Sequence, residues 1–371
     1  MNFWTKLQKP FFAVAPMADV TDASFRRMIA KYSEFPKLDN VVMWTEFVSA
    51  DGLARATEEG KKKLMADLIY TEEERPIVAQ LFSSNEDHME KAARLCLELG
   101  FDGVDINMGC PDRSIEKQGC GSAMIKNPEN AKAIIRATKR GCKSDTDEGI
   151  PVSVKTRLGY NEDTLEQWLP ELLSENPAAI TVHGRTRKQL SKVPADWVRI
   201  KKAVEIRNEV QNEQWQENNP KKIKTLIIGN GDVLSMEDAQ EKVKQSGVDG
   251  AMIGRALFGN PWFFNRHKQL PTKLIDMPTH GVDRERIITN DVSNKNISYI
   301  TLEDRLNVLV EHSFLFEELF PFKSFSVMKK HYKAYANGFP NAAHLRSALM
   351  QTDNATQVQN IVHQFLKAQS S

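Results

Sequence analysis

Residues 103 to 109 read GVDINMG, a short, nearly continuous apolar run that turns polar at its end. Such runs mark strands covered on both faces in a parallel sheet. Comparable ones recur as FFAVAPM (11–17), VVMWTEF (41–47), PIVAQLF (76–82), PVSVKTR (151–157), AITVHGR (179–185), TLIIGNG (225–231) and GAMIGRA (250–256). Helical patterns fall between them. Phe25, Met28, Ile29 and Tyr32 lie at i, i+3, i+4 and i+7 with Asp22 placed to cap, and NEDHMEKAARLCLELG and NPENAKAIIRATKRG end at Gly100 and Gly141. Strand and helix alternate eight times over roughly 260 residues, which predicts an α/β fold, a (β/α)8 TIM barrel, over an open doubly wound sheet of about five to seven strands.

The 371 residues divide accordingly. Residues 1–265 read as the barrel and 266–300, mixed and aperiodic, as a linker or insertion. The polar stretch 207–224 lengthens a helix or loop. From Leu302 the helical period returns, with Leu302, Leu306, Leu309 and Val310 on one face, so 301–371 read as a small C-terminal helical domain.

With 41% hydrophobic and 27% charged residues the composition is that of an ordinary soluble protein. Lys plus Arg total 50 against 49 acids, so any nucleic-acid surface has to be a local cluster. Cys96, Cys110, Cys120 and Cys142 lack zinc-site spacing, and a disulfide framework is not expected in a chain of this size, so no metal is called and reduced thiols in the cytoplasm are expected. No apolar stretch reads as a signal peptide or membrane span, and no obligate protein partner is evident.

A TIM barrel carries its active site at the C-terminal ends of its strands. Those ends hold Pro16-Met17-Ala18, Glu46, Gln80, Asn107 with Cys110, Lys155 with Arg157, His183 with Arg185, Asn230-Gly231-Asp232, and Gly254-Arg255. Each alone has a structural explanation: Gln80 satisfying a loop amide, His183 packed, Lys155 paired with Asp105 or Asp232. Together they include four cations without an equal set of acids, and a buried cation without a partner is costly. An anionic ligand is therefore expected. Strands seven and eight end in GNGD and GRALFGNP, where small residues let amides approach a phosphate and Arg255 adds charge. No G-x-G-x-x-G follows the first strand, so FMN fits better than a dinucleotide, with Lys155 near the ring's N1 and C2 carbonyl and Gln80 at its pyrimidine edge.

Taken as a set, APMADVTDASFRRM, EFVSADGL, PIVAQLF, GVDINMGCP, VSVKTRLGY, ITVHGRT, IIGNGDV and GAMIGRALFGNPW resemble the tRNA-dihydrouridine synthase family across nearly the whole barrel, and KKHYKAYANGFPNAAHLR (329–346) resembles its helical domain. The resemblance implies FMN held by Pro16, Met17, Ala18, Gln80, Lys155, His183, Asn230, Gly231, Asp232, Gly254 and Arg255. It implies Cys110 as proton donor, Asn107 at the target uracil, Arg157 and Arg185 aiding base or phosphate binding, NADPH as reductant and tRNA as substrate, in the D-loop. Two features depart from the pattern: Cys120 in KQGCGSAM, and a 265–300 stretch longer than usual.

Reduction of a C5=C6 bond needs a hydride at C6 and a Brønsted acid at C5. A thiol with an ordinary pKa of about 8.5 is protonated at neutral pH and serves as that acid. Cys96 and Cys142, on helices, read as packing residues. Between residues 321 and 350, Lys323, Lys329, Lys330, Lys333 and Arg346 occur with no acid, interleaved with Phe322, Phe325, Tyr332 and Tyr335. The basic residues, Lys329, Lys330 and Arg346 foremost, are expected to grip tRNA phosphates while the aromatics pack the core. The alternatives are an FMN barrel reductase of a small pyrimidine or enone, and a catalytically silent tRNA-binding protein.

Overall fold

The computed structural model describes residues 2–143, 149–220, 222–271 and 298–369. All eight expected strands form: β1 (Phe11–Val14), β2 (Val41–Ser49), β3 (Ile77–Phe82), β4 (Gly103–Asn107), β5 (Val152–Arg157), β6 (Ala179–His183), β7 (Leu226–Asn230) and β8 (Gly250–Ile253). They pair in parallel in chain order, and Phe11–Val14 of β1 matches Gly250–Ile253 of β8 residue for residue, closing the barrel.

Side chains alternate across a strand, so residues two apart share a face. Phe11, Ala13, Val42, Trp44, Val78, Ala179, Leu226, Ile228 and Met252 belong to one buried cluster, the inward set of the barrel. Trp4, from the N-terminal 3-10 turn Phe3–Thr5, joins it, with its ring 5.4 Å from Phe11 and 6.0 Å from Trp44. Two residues further along the same faces stand Gln80, Asn230 and Gly254. The apolar filling thus gives way to polar side chains toward the C-terminal ends of the strands.

Helices Glu86–Glu98, Pro128–Gly141, Leu165–Ser174, Trp197–Val210 and Met236–Ser246 follow β3 to β7. The polar stretch after residue 207 ends one helix and forms a short second, Glu213–Asn218. Gly100 takes φ +80°, as a residue ending a helix does. Gly141 differs from the sequence expectation. It lies inside its helix, where an added Cβ would sit 2.2 Å from the Glu90 carbonyl oxygen, so it serves close helix approach.

The chain separates into two units: Met1–Ala18 with Leu38–Arg255, and Asp19–Lys37 with Ala256–Ser371. The helix after β1, Ala23–Tyr32, capped by Asp22 accepting from the Phe25 N–H, belongs to the second unit. Its Phe25 ring packs against His312 and His331. After β8 there is only the 3-10 turn Arg255–Leu257, since Gly259 at φ +63° and Pro261 interrupt any helix. The eightfold alternation therefore holds for strands and not for helices.

The second unit also contains Leu302–Leu319, opened by a Thr301/Asp304 capping box, Lys329–Tyr335, Ala342–Leu349 and Ala355–Gln369. Most of the stretch read as a linker, 272–297, lies outside the described residues, and Lys268–Gln269 pairs in parallel with Ser298–Tyr299. No helix among the described residues is long and apolar enough to cross a membrane.

Replacing Gly141 by Ala raises helix propensity by up to ~1 kcal/mol but drives a methyl into a backbone carbonyl, an overpacking cost of about 1–3 kcal/mol. The clash wins because backbone does not rotate away. Gly141→Ala is expected to lower the midpoint of denaturant unfolding; an unchanged or higher midpoint contradicts the close approach.

Candidate active site

Register brings the strand-end residues together. Gln80 is paired with Asp105, and Asp105 with Ser153; Asn107 pairs with Lys155, Arg157 with His183, and His183 with Asn230. In-register partners point to the same side of a sheet, so these side chains converge at one end of the barrel.

The loop after β4 is tied on all sides. Asn107 Oδ1 accepts from the backbone N–H of Gly109 at 3.1 Å and of Cys110 at 2.9 Å, an Asx turn that aims the cysteine. The Met108 N–H donates to the Lys155 carbonyl at 2.8 Å, and Arg157 Nε donates to the Gly109 carbonyl at 2.6 Å. On the far side the Cys110 carbonyl accepts from the Ser122 N–H at 3.0 Å and from its hydroxyl at 2.9 Å. Gly121, at φ +59°, permits this, because a Cβ there would lie 2.7 Å from that carbonyl. The single Ser122 hydroxyl hydrogen is shared between that carbonyl and Glu116, 2.8 Å away, which is paired with Arg187.

Among the four free thiols, Cys110 is half-buried and the others are buried. Burial pushes the Cys110 thiol above its usual range, with Lys155 and Arg157 pulling the other way. It is therefore a protonated thiol at neutral pH. Cys120 packs with Phe82 and Ile115, and burial pushes it up to about 11. Burial also pushes Cys142 up to about 12 and raises Cys96 beyond that, so all three are packing residues.

Behind the loop lies an amide chain. Asn107 Nδ2 donates to Gln80 Oε1 at 3.0 Å, Gln80 Nε2 donates to Asp105 Oδ2 at 2.6 Å, and the Ser153 hydroxyl donates to Asp105 Oδ1 at 2.6 Å. Gln80 and Asp105 have no exposed surface and Asn107 only 7%. Gln80, read from sequence at a cofactor's ring edge, is thus engaged at both ends inside the wall.

The cation count needs correction. Asp232 accepts from both Arg185 and Arg255, the latter at 2.5 Å, and from the Ala195 N–H, so two of the four cations have a carboxylate. Arg185 is buried and also donates to the Val193 carbonyl and contacts His183 Nε2 at 3.1 Å. Its guanidinium is a strut between β6 and β7 rather than a free hand for substrate. Lys155 and Arg157 remain. Among the described residues the Lys155 side chain makes no ion pair or hydrogen bond, and Arg157 meets only carbonyls. Burial lowers Lys155 to about 8 and Arg157 to about 10, each further depressed by a neighbouring arginine. Burial and these cations hold His183 neutral, well below its usual range.

The ends of β7 and β8 form a second feature. Asn230 Nδ2 donates to the Met252 carbonyl at 2.9 Å, Gly231 takes φ +124°, and Asp232 φ +50°. A Cβ on Gly231 would lie 2.6 Å from Ala195 and 3.1 Å from the His183 ring. The N–H groups of Gly231, Asp232 and Gly254 donate to no backbone carbonyl among the described residues, and a Cβ on Gly254 would approach Met17 Sδ at 3.4 Å. Backbone donors, small residues and Arg255 suit a phosphate; Lys155 and Arg157 suit an anionic ring. The residues present fit FMN. Pro16, Met17 and Ala18 follow β1, the strand paired with β8. No group of three or more His, Cys, Asp or Glu suited to a metal occurs among the described residues.

In the second unit, Lys329, Lys330, Lys333 and Arg346 line a groove of about 630 Å³ with Tyr332, Ser347 and Gln351. The stretch lacks acids in sequence, but folding brings Asp19 within 2.6 Å of Lys330 and Asp353 within 3.9 Å of Lys329. Arg346 donates to the Ala336 carbonyl, while the Lys333 side chain is exposed with no partner among the described residues. Tyr332 and Tyr335 are buried, as expected of core aromatics, whereas Phe325 is half-buried and Phe322, at 44% exposure, departs from that expectation.

Sequence reasoning missed Ser122 and the structural role of Asp105, although Asp105 stands out as an acid inside an apolar strand. It also missed that Asp232 serves two arginines, which no spacing rule shows.

A family model described as dihydrouridine synthase matches residues 13–370. A probable tRNA-dihydrouridine synthase 2 of Bacillus subtilis (strain 168) is 33% identical over 365 residues, 98% of this chain and 96% of that protein. A probable tRNA-dihydrouridine synthase of Staphylococcus aureus (strain COL) is 32% identical over 367 residues, 98% of this chain and 95% of that one. Among solved structures, histamine dehydrogenase from Rhizobium sp. 4-9 aligns with a TM-score of 0.42 at 10% identity, over 68% of this chain and 44% of that one. With its closed eight-stranded barrel and a family match over nearly its whole length, the chain belongs to the dihydrouridine synthase family.

Proposed function

We propose that the protein is a tRNA-dihydrouridine synthase that saturates the C5=C6 bond of a tRNA uridine, in the D-loop, with FMN as cofactor and NADPH as reductant. The observation that carries this reading is a half-buried, protonated thiol, Cys110, fixed by six hydrogen-bonded anchors beside two cations that form no ion pair among the described residues.

Reduced FMN, when bound, supplies the hydride for C6. Lys155 and Arg157 hold its negative charge, and His183, kept neutral, adds no competing proton at that face. The unbonded amides of Gly231, Asp232 and Gly254 receive the phosphate with Arg255, while Asn230 fixes the turn and Pro16, Met17 and Ala18 cover the site. Cys110 delivers the proton to C5, a role open to it because burial keeps the sulfur protonated. Asn107 keeps one Nδ2 hydrogen beyond its bond to Gln80, a donor matched to a uracil carbonyl and mismatched to the amino group of cytosine.

A uridine in folded tRNA has to leave its stack to reach a barrel mouth, and its flanking phosphates then need a cationic surface. The groove lined by Lys329, Lys330, Lys333 and Arg346 supplies one. A reductase of a free pyrimidine gives that groove no task.

The test is mass-spectrometric detection of dihydrouridine in tRNA incubated with the purified protein, FMN and NADPH. Product is expected with the wild type, and its absence sinks the reading. Cys110→Ala is expected to slow product formation by about a hundredfold or more, the usual contribution of a positioned acid, while NADPH still reduces the flavin; Cys120→Ala should keep wild-type turnover. Equal losses in both variants would move the acid elsewhere. For the groove, Lys333→Glu is expected to weaken tRNA binding more than Lys330→Glu, whose charge Asp19 already meets. It should also reduce the salt slope by roughly one; an unchanged slope makes the groove ordinary surface.

A further inference from the structure

We propose that Asp105 is a positioning residue: it sets the direction of the side-chain amides of Gln80 and Asn107, and through them the turn that presents Cys110. The inference deepens the proposed function, and rests on it only in taking Cys110 as the thiol that acts.

The three links run in one direction. A carboxylate accepts hydrogen bonds and cannot give them, whereas a side-chain amide is nearly symmetric in shape and accepts or donates according to which end it turns. Asp105 accepts at both oxygens, from Gln80 Nε2 and from the Ser153 hydroxyl, each at 2.6 Å. Gln80 must then turn its oxygen to Asn107, whose Nδ2 lies 3.0 Å away. Asn107 must in turn present Oδ1 to the N–H groups of Gly109 and Cys110. Reversing any amide would put the Asn107 NH2 against two backbone donors and dissolve the turn. Asp105 and Gln80 have no exposed surface, so water cannot repair a broken link at that end of the chain.

The carboxylate has to stay ionised while buried. Burial raises its pKa to about 6, and the bonds from Ser153 and Gln80 together with the nearby Lys155 keep it from rising further. It is thus an acceptor at neutral pH. The same chain leaves one donor hydrogen spare on each of the Gln80 and Asn107 amides.

The assignment is testable without tRNA or turnover, by the rate at which iodoacetamide alkylates Cys110 in the purified full-length protein. Peptide mass spectrometry separates Cys110 from Cys96, Cys120 and Cys142. Asp105→Ala removes the acceptor and is expected to raise the Cys110 rate about tenfold, the factor of a lost hydrogen bond or two. Asp105→Asn is expected to stay within about twofold of wild type, because its carbonyl can take Gln80 while the Ser153 hydroxyl rotates to accept from its NH2. An unchanged rate in Asp105→Ala overturns the assignment. So does an equal rise in both variants, which would make charge toward Lys155, not acceptor geometry, the property that matters. Should the alanine variant not fold, Gln80→Leu breaks the chain one link later, with the same rise expected and an unchanged rate again overturning it. Failure here leaves dihydrouridine formation untouched, and failure of dihydrouridine formation leaves this rate difference standing.

Discussion

Two cations at the mouth of a closed barrel, Lys155 and Arg157, form no ion pair among the described residues, and the carboxylate nearest Lys155, Asp105, is taken up by Gln80 and Ser153. Burial already drags both toward neutrality, Lys155 to about 8. A fold keeps such charges where a ligand completes them. The other two cations of the mouth make the contrast: Asp232 binds Arg185 and Arg255 together, and the positive-φ turn through Gly231 and Asp232 brings that carboxylate into place. One side of the mouth is internally neutralised and rigid. The other is poised for an anion, and Cys110 stands beside it.

The reactive loop depends on the same strands. Lys155 lends its carbonyl to Met108, and Arg157 its Nε–H to Gly109, so the residues that await the anion also hold the loop that carries the thiol. In the proposed reaction, cofactor and acid are thereby referenced to one strand, β5. Such pre-organisation is worth more than any single contact, because it spares the ordering of groups at the moment of reaction. The helical unit is built by ordinary means, with a capping box at Thr301 and an apolar face through Leu306, Leu309 and Phe316, and leaves Lys330 and Lys333 exposed.

Much of this was legible in the residues themselves. Each strand announced itself as an apolar run, and β4 and β7 ended polar where the period-2 face predicts an inward side chain. What the chain order could not show was pairing between distant residues. Asp232 looked like one more member of a phosphate loop, and only the fold reveals it as the counter-ion of two arginines. Lys330 looked free until Asp19, 311 positions away, met it. Gln80 looked like a ligand-facing amide, yet its register opposite Asp105 absorbs it into the wall. The helix Ala23–Tyr32 carries a proper cap and periodicity, but which core it joins is decided by Phe25 meeting His312 and His331. Local pattern fixes an element's kind, while long-range partners fix its allegiance.

The most direct measurement is the affinity for chemically reduced FMN, whose ring is anionic, from about pH 7 to about pH 9, by anaerobic equilibrium dialysis, for the wild type and Lys155→Met. A lysine whose pKa in the free protein is lowered to about 8 rises on meeting an anion, so binding takes up a proton and weakens as pH climbs through that value. The wild type should therefore bind reduced FMN with an affinity that declines above about pH 8, and the methionine variant should bind more weakly with that decline abolished. Failure of the wild type to bind reduced FMN, or binding whose strength and pH dependence ignore the loss of Lys155, would contradict the assignment of the unpaired cations to an anionic flavin.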